Sequence, residues 1–417
     1  MSYAGDDVGA IVGDIGSTFF RYGNAGTPIP DFSTPSTIGY SLNDDTSSSS
    51  NLSPRIGEVA LHNNYTDLKV ENPFVNGRLS NWNDVEHLWN YAFSEQALGL
   101  NSNETPVVAV APSDMNQSDM SKYLELLFET FEIPSGYILR KAVASSFAAG
   151  KTTSLVIDSG AQSTIATTVC EGFVLRKTST RTLLGGDMLD QTVLNYLEET
   201  TNAAVRPRFH FHKQRDSTTG KMATNNVSLN VHETVLKQHQ LNIARDLKEI
   251  HCSVPQTAYN EALAKTVPTT VYELPDGTKI NLGTIRYTVG EMLMNPSHTP
   301  TSSSSTNQSN KIQSIPNLVL ECLSKTPVDI RREVASQLLL AGGSTCFNGF
   351  SQRLNLELTS KLASVVKIRQ ILPSKLERQC SGFTGGSILA SLGSFQQLWV
   401  SKKQYDESGA ISIANVL

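Results

Sequence analysis

Two short acidic turns carry the chemistry open to this chain. The first is Ile11-Val12-Gly13-Asp14-Ile15-Gly16-Ser17-Thr18 and the second Leu155-Val156-Ile157-Asp158-Ser159-Gly160-Ala161-Gln162-Ser163-Thr164. Each is an apolar run, then an aspartate, a glycine two residues on, and small hydroxyl residues. Glycine lets backbone N–H groups come close to a phosphate, and an aspartate can hold Mg²⁺, often through water. One such turn alone fits an ordinary hairpin about as well as a phosphate site. The repetition implies more: two related half-molecules that close on one nucleotide phosphate chain from both sides.

Such turns need rigid elements beneath them. The apolar runs read as buried strands, and Asp-x-Gly as the tight turn leaving each one. Val107–Ala111 is a further strand candidate. Over residues 119–131, Met120, Tyr123, Leu124, Leu127, Phe128 and Phe131 recur at helical spacing. Residues 188–197 and 337–341 continue the alternation, an α/β signature. Residues 43–53, 206–226 and 298–310 are polar or of mixed charge, and are expected to be surface loops.

The 417 residues suffice for two lobes with real cores. A formal charge of −5 gives no general nucleic-acid footprint. Cys170, Cys252, Cys322, Cys346 and Cys380 are odd in number, widely spaced and without a CxxC pair. Reduced thiols in an intracellular protein are expected, with no zinc site. The start, MSYAGDDVGA, has no apolar signal region, and no run approaches the ~20 residues of a membrane helix. No Ser-His-Asp or Cys-His arrangement is supported.

Longer stretches point to a family. Residues 385–409, from Gly385-Gly386-Ser387-Ile388-Leu389-Ala390 to Gln404-Tyr405-Asp406-Glu407-Ser408-Gly409, resemble the end of actin. So do Asn81-Trp82-Asn83-Asp84, Phe128-Glu129-Thr130-Phe131, Tyr272-Glu273-Leu274-Pro275-Asp276-Gly277 and Ala341-Gly342-Gly343-Ser344-Thr345. The resemblance covers nearly the whole chain. It implies the actin-like α/β fold, shared with sugar kinases and chaperone ATPases: two duplicated lobes, each around a five-stranded sheet, with a nucleotide in the central cleft. Residues 1–150 plus 374–417 would form the first lobe, with 39–75 as its small upper subdomain. Residues 151–373 would form the second, with about 186–255 as its upper subdomain.

Within the family, Val267-Pro268-Thr269-Thr270-Val271 with the stretch that follows, Glu377-Arg378-Gln379, Gly393-Ser394-Phe395 and Tyr65-Thr66-Asp67-Leu68-Lys69 resemble the nuclear actin-related proteins of subfamily four. Those proteins sit in chromatin-remodelling and histone acetyltransferase complexes. The resemblance implies a nuclear subunit that supports transcription regulation and DNA repair. Its partners would be monomeric actin and an amphipathic scaffold helix, with chromatin and histones reached indirectly and no membrane. Two alternatives stand beside it: a cytoskeletal actin that polymerises, and an ATPase or kinase of the same superfamily.

The family's site carries over residue by residue. The first turn keeps Asp14, Gly16 and Ser17; Thr18 replaces a glycine, and Arg21 a phosphate-binding lysine, with different geometry. The second keeps Asp158, Ser159 and Gly160, but Ala161 and Gln162 replace an aspartate and a glycine. Asp14 and Asp158 would hold Mg²⁺ through water, beneath ATP or ADP. Gly185, Arg245, Lys248, Glu249, Gly342, Gly343, Ser344 and Phe347 match the family's positions around the ribose, base and phosphates. Read alone, Arg245, Lys248 and Glu249 would be a solvated helix face, and Phe347 a core aromatic.

Catalysis is where the chain departs most. Lys141 stands where the family has a water-positioning glutamine, and Ile165 where it has a histidine. An ammonium only donates hydrogen bonds and an isoleucine offers none, so nucleotide binding is expected with little or no turnover. In the groove opposite the cleft, Phe147, Ala148, Gly150 and Thr152, with residues 392–405, would receive the scaffold helix. The cluster Arg206, Arg208, His210, His212, Lys213 and Arg215 reads as a solvated insert, and His87 as packed near Trp82 and Trp89.

Overall fold

A computed structural model describes residues 9–42, 54–63, 65–215, 222–297, 312–362 and 366–416. The segments 43–53 and 298–310, expected to be surface loops, lie outside them.

The two acidic turns leave equivalent strands. Ile11–Ile15 pairs antiparallel with Phe19–Asn24 and parallel with Val107–Ala111. Ser154–Ser159 pairs antiparallel with Thr164–Cys170 and parallel with Leu338–Ala341. The repeat read in the sequence is therefore a repeat of topology. The first sheet runs Val400–Ser401, Ser135–Arg140, Val107–Ala111, Ile11–Ile15, Phe19–Asn24, Phe32–Pro35. The second runs Phe173–Val174, Thr164–Cys170, Ser154–Ser159, Leu338–Ala341, Gln370–Ile371, with Thr180–Thr182 pairing off the main path. Each sheet has six strands rather than the expected five. Short strands account for the difference: two residues of Val400–Ser401 and three of Thr180–Thr182.

Period-two alternation along these strands builds three cores. Ile11, Val107 and Ala109 face the first lobe's own helices. Leu155, Ile157, Leu338 and Leu340 face those of the second. The alternate residues Val12, Val108, Val110, Val156, Leu339 and Ala341 share a third cluster with Phe383 and Leu389. Both sheets thus contribute one face to a common interior.

That interior is filled by two crossing helices, Lys141–Ala148 and Lys375–Ala390. The second starts in a capping box between Ser374 and Glu377. Their crossing is very tight. A Cβ on Gly385 would lie 1.7 Å from the Ala144 carbonyl oxygen, so only glycine fits there. Ser145 and Ser381 hydroxyls meet at 2.9 Å in the same contact.

Other segments refine the expectations. Residues 119–131 are an α-helix, Gln117–Glu125, that widens into a π-helix at Leu126–Thr130, with all six apolar residues buried. Residues 188–197 lie within the helix Gly186–Thr201. Residues 206–226, expected to be a loop, instead form a hairpin of Phe211–Arg215 with Met222–Asn226. Its backbone ladder gives it order that composition does not register, and Phe211 is fully buried beneath it. Arg206 pairs with Asp276 at 3.2 Å, and Arg208 lies over the Phe211 ring. His87 is half-buried and faces Tyr40. No helix among the described residues is long and apolar enough to cross a membrane.

Gly385→Ala is expected to destabilise the protein by roughly 3 kcal/mol, because backbone must move to admit the methyl. Gly393→Ala, with nothing within 4 Å of the added carbon, should stay within about 0.5 kcal/mol of the wild type. Urea denaturation of both variants checks the contrast.

Candidate functional site

The two acidic turns close in the same way. Gly16 N–H donates to the Phe19 carbonyl at 2.9 Å, and Gly160 N–H to the Ser163 carbonyl at 3.0 Å. Both turns open onto one cleft of about 420 Å³, within the size range of small-molecule sites. Gly16, Ser17, Thr18 and Arg21 line it from the first lobe. Asp158, Gly160, Arg245, Lys248, Glu249, Gly342, Gly343, Ser344 and Phe347 line it from the second. The fold therefore gathers thirteen of the fifteen sequence-predicted residues onto one surface.

The other two lie just behind it. Asp14 is 1% exposed and packs under Gly382 of the Lys375–Ala390 helix. Gly185 is pressed against the backbone of Ala161, and its neighbour Gly186 is the one that lines the cleft. Gly342 has φ +84°, and a Cβ there would lie 2.3 Å from the Ser159 carbonyl oxygen, so this strand exit also needs glycine. The Ser344 hydroxyl donates to the Gly160 carbonyl at 2.9 Å and ties the two loops together.

Several lining residues escaped the sequence reading. Asp190, 1% exposed, takes the Lys248 ammonium at 2.6 Å and the Arg245 Nε at 3.1 Å. Arg245 also reaches Asp187 at 3.4 Å. These cations are thus held by carboxylates, where the sequence alone suggests a solvated face. Asp187 and Asp190 open the Gly186–Thr201 helix at i,i+3 spacing, the one local signal that could have marked them. Burial pushes the Asp187 carboxyl above its usual range, although Arg245 and Lys248 pull it down. Lys375 and Gln379 also line the cleft.

Gln162 does not approach the phosphate side. Its amide oxygen accepts from Gly77 N–H at 2.8 Å, and its amide nitrogen donates to the Phe74 carbonyl at 3.3 Å. This side chain joins the two lobes across the cleft. Arg181 does the same, donating to the Gly77 carbonyl at 2.7 Å and to Asp114 at 2.9 Å.

Lys141 also lines this cleft. Its ammonium lies 3.4 Å from Asp158 Oδ2. Burial works to lower its pKa, but Asp14 and Asp158 outweigh that and raise it, so the group is a cation. Asp14 Oδ2 and Asp158 Oδ1 are both buried without a hydrogen-bond partner. A pair of buried carboxylates suits a divalent ion, but here an ammonium already pairs with one of them, Asp158. Ile165, registered opposite Asp158 on the neighbouring strand, is 6% exposed and presents only hydrocarbon.

A wider space of about 770 Å³ forms the mouth of the cleft. An aromatic cluster bridges it: Tyr65 stacks near Phe209 at 4.7 Å, and His239 sits 5.3 Å from both His62 and Tyr65. Thr234 accepts from Val70 N–H at 3.1 Å beside it.

Comparison with known proteins agrees with this geometry. The family described as Actin matches residues 5–415. Proteins named Actin-related protein 4 are similar over nearly their full length. The one from Arabidopsis thaliana is 34% identical over 435 residues, covering 98% of each chain. The one from Oryza sativa subsp. japonica is 33% identical over 437 residues, again 98% of each. The one from Schizosaccharomyces pombe is 30% identical, covering 99% of this chain and 97% of its own.

The mouth gives a pH dependence. Burial, then the nearby His62, push His239 from 6.5 down to about 4. An unfolded chain takes up its proton near 6.5 while the folded one resists until about 4. The stability from neutral His239 is therefore complete above 6.5 and lost as pH falls through that window. Denaturation midpoints measured down the window should fall, and His239→Gln should flatten the slope; an unchanged slope in the variant would assign the effect elsewhere.

Proposed function

The chain belongs to the actin family, and we propose that it is a nuclear actin-related protein: a non-polymerising, nucleotide-binding structural subunit of a chromatin-remodelling or histone acetyltransferase complex. In that setting it would support transcription regulation and DNA repair. The observation that carries the binding half is the convergence of both phosphate turns and the Arg245–Glu249 face on one cleft. Proteins of this fold generally bind nucleotide with a divalent metal. In this reading ATP or ADP lies with its phosphates between Gly16–Thr18 and Gly160, with Arg21 as counter-charge. Arg245, Lys248, Glu249 and Phe347 flank the ribose and base, Gly342 to Ser344 underlie them, and Gly185 turns the chain. Asp14 and Asp158 are the carboxylates assigned from the sequence to a magnesium ion held through water, and Lys141 is already paired with one of them, Asp158.

The structural half follows from what surrounds the phosphates. Hydrolysis needs an in-line water held by groups that accept its hydrogen bonds. Lys141 only donates and is engaged with Asp158, and Ile165 has no polar atom. The lobes assigned from the sequence, residues 1–150 with 374–417 and residues 151–373, would then close on a resident nucleotide without turning it over. The nucleotide would fix their relative angle. The non-polymerising reading rests on the polar composition of residues 43–53 and 298–310, because burying such groups unpaired is costly.

The partner surface is the groove opposite the cleft. Phe147 is half-buried, Thr152 is exposed, and Ala148 and Gly150 leave space beside them. Leu392 and Leu398, within the segment 392–405 assigned to its other wall, are 43% and 56% exposed. An amphipathic helix of a remodeller or acetyltransferase scaffold would dock there, next to monomeric actin, and link the protein to histones indirectly. The site of action would be the nucleus.

Two measurements test this reading. ATP at a hundred times its Kd should stabilise the protein by about 2.7 kcal/mol, while single-turnover assays show far slower cleavage than a control actin. Cleavage at the control rate would remove the structural role in favour of an ATPase. Separately, Phe147→Asp should lose its co-purified scaffold and actin while its thermal melt stays near the wild type. An unchanged set of partners would place docking elsewhere.

A further inference from the structure

Lys141 is placed with unusual care for a residue that has lost a catalytic role. It is the first residue of the Lys141–Ala148 helix, directly after the strand Ser135–Arg140. Arg140, 6% exposed, donates to the Ser113 and Met115 carbonyls at 3.1 Å each. Ala142 N–H donates to the Ser113 hydroxyl at 2.8 Å. The residues on both sides are thus fixed, and the side chain between them leaves a rigid strand-to-helix junction. It ends 3.4 Å from Asp158 Oδ2, with the two side chains 19% and 13% exposed. Asp14, buried by the Lys375–Ala390 helix, adds its negative field to the same ammonium.

A nucleoside di- or triphosphate entering between two carboxylates meets strong repulsion, and a divalent cation ordinarily offsets it. Mg²⁺ needs near-octahedral oxygen ligands at 2.0–2.1 Å. A fixed ammonium on Asp158 takes up that carboxylate and repels a second cation. An ammonium also has three donors. One serves Asp158, and the others are free to meet Asp14 and a phosphate oxygen. The buried, unpartnered oxygens Asp14 Oδ2 and Asp158 Oδ1 mark where positive charge is wanted.

We infer that Lys141 is a built-in cation that takes the place of the divalent metal, so that the cleft binds nucleoside di- and triphosphates without magnesium. This rests on the nucleotide-binding reading above. Lys141 bridges Asp158 and the phosphate chain, and joins the floors of the two lobes through the same contact. Loss of the water-positioning residue and loss of the metal requirement are then one substitution seen from two sides.

The test is calorimetric titration of the full chain, stripped of nucleotide, with ATP and with ADP, in EDTA and in excess MgCl₂. The wild type should give dissociation constants within about threefold of each other in the two conditions. Lys141→Gln should bind at least about tenfold more weakly in EDTA and be rescued by magnesium, whereas Lys141→Arg should keep its resistance to EDTA. Wild-type binding that disappears in EDTA and returns with magnesium would overturn the inference and leave the nucleotide reading standing. Wild-type protein that binds neither nucleotide in either condition would overturn both.

Discussion

Among the described glycines, the one with least room for a side chain lies between two helix backbones, at Gly385 against the Ala144 carbonyl. Everything at the site depends on it. The Lys141–Ala148 helix starts at the cation of the cleft, and the Lys375–Ala390 helix covers Asp14 and contributes Lys375 and Gln379 to the lining. Separating them by the width of one methyl would move the ammonium relative to Asp158. A 3.4 Å ion pair that joins the start of this helix to the second sheet does not survive such a shift unchanged.

The crossing also explains why the two lobes share an interior. A strand buried on both faces sends alternate side chains to opposite sides. Val12 and Val156 therefore meet a common cluster while Ile11 and Leu155 serve separate ones. The polar links at the top of the cleft, through Gln162, Arg181 and the Tyr65–Phe209–His239 cluster, are of a different kind. They join surfaces rather than cores, and a titratable histidine sits among them.

Charge within the cleft is balanced locally. Asp190 holds Lys248 and Arg245, and Lys141 pairs with Asp158 within the field of Asp14. Buried charges of this kind cost more to break than they contribute when paired, so each partner constrains the other's position. Lys141 therefore fixes the charge of the cleft through its pair with Asp158, beyond merely lining it.

The sequence alone determined the repeated strand-turn unit, the helical spacing of residues 119–131 and thirteen of the residues that line the cleft. Those signals are local: an apolar period, a glycine two residues after an aspartate, or a run matching a known family. The hairpin of Phe211–Arg215 with Met222–Asn226 stayed hidden because its order lies in backbone pairing between largely polar segments. Asp190 stayed hidden because nothing next to it in the chain names Lys248 as its partner, 58 residues away. The partnership of Lys141 with Asp158 was likewise decided only when two sheets met across the helix crossing. Periodicity reports which face of an element is buried; which charge comes to rest on which is fixed by the packing of elements distant in the chain.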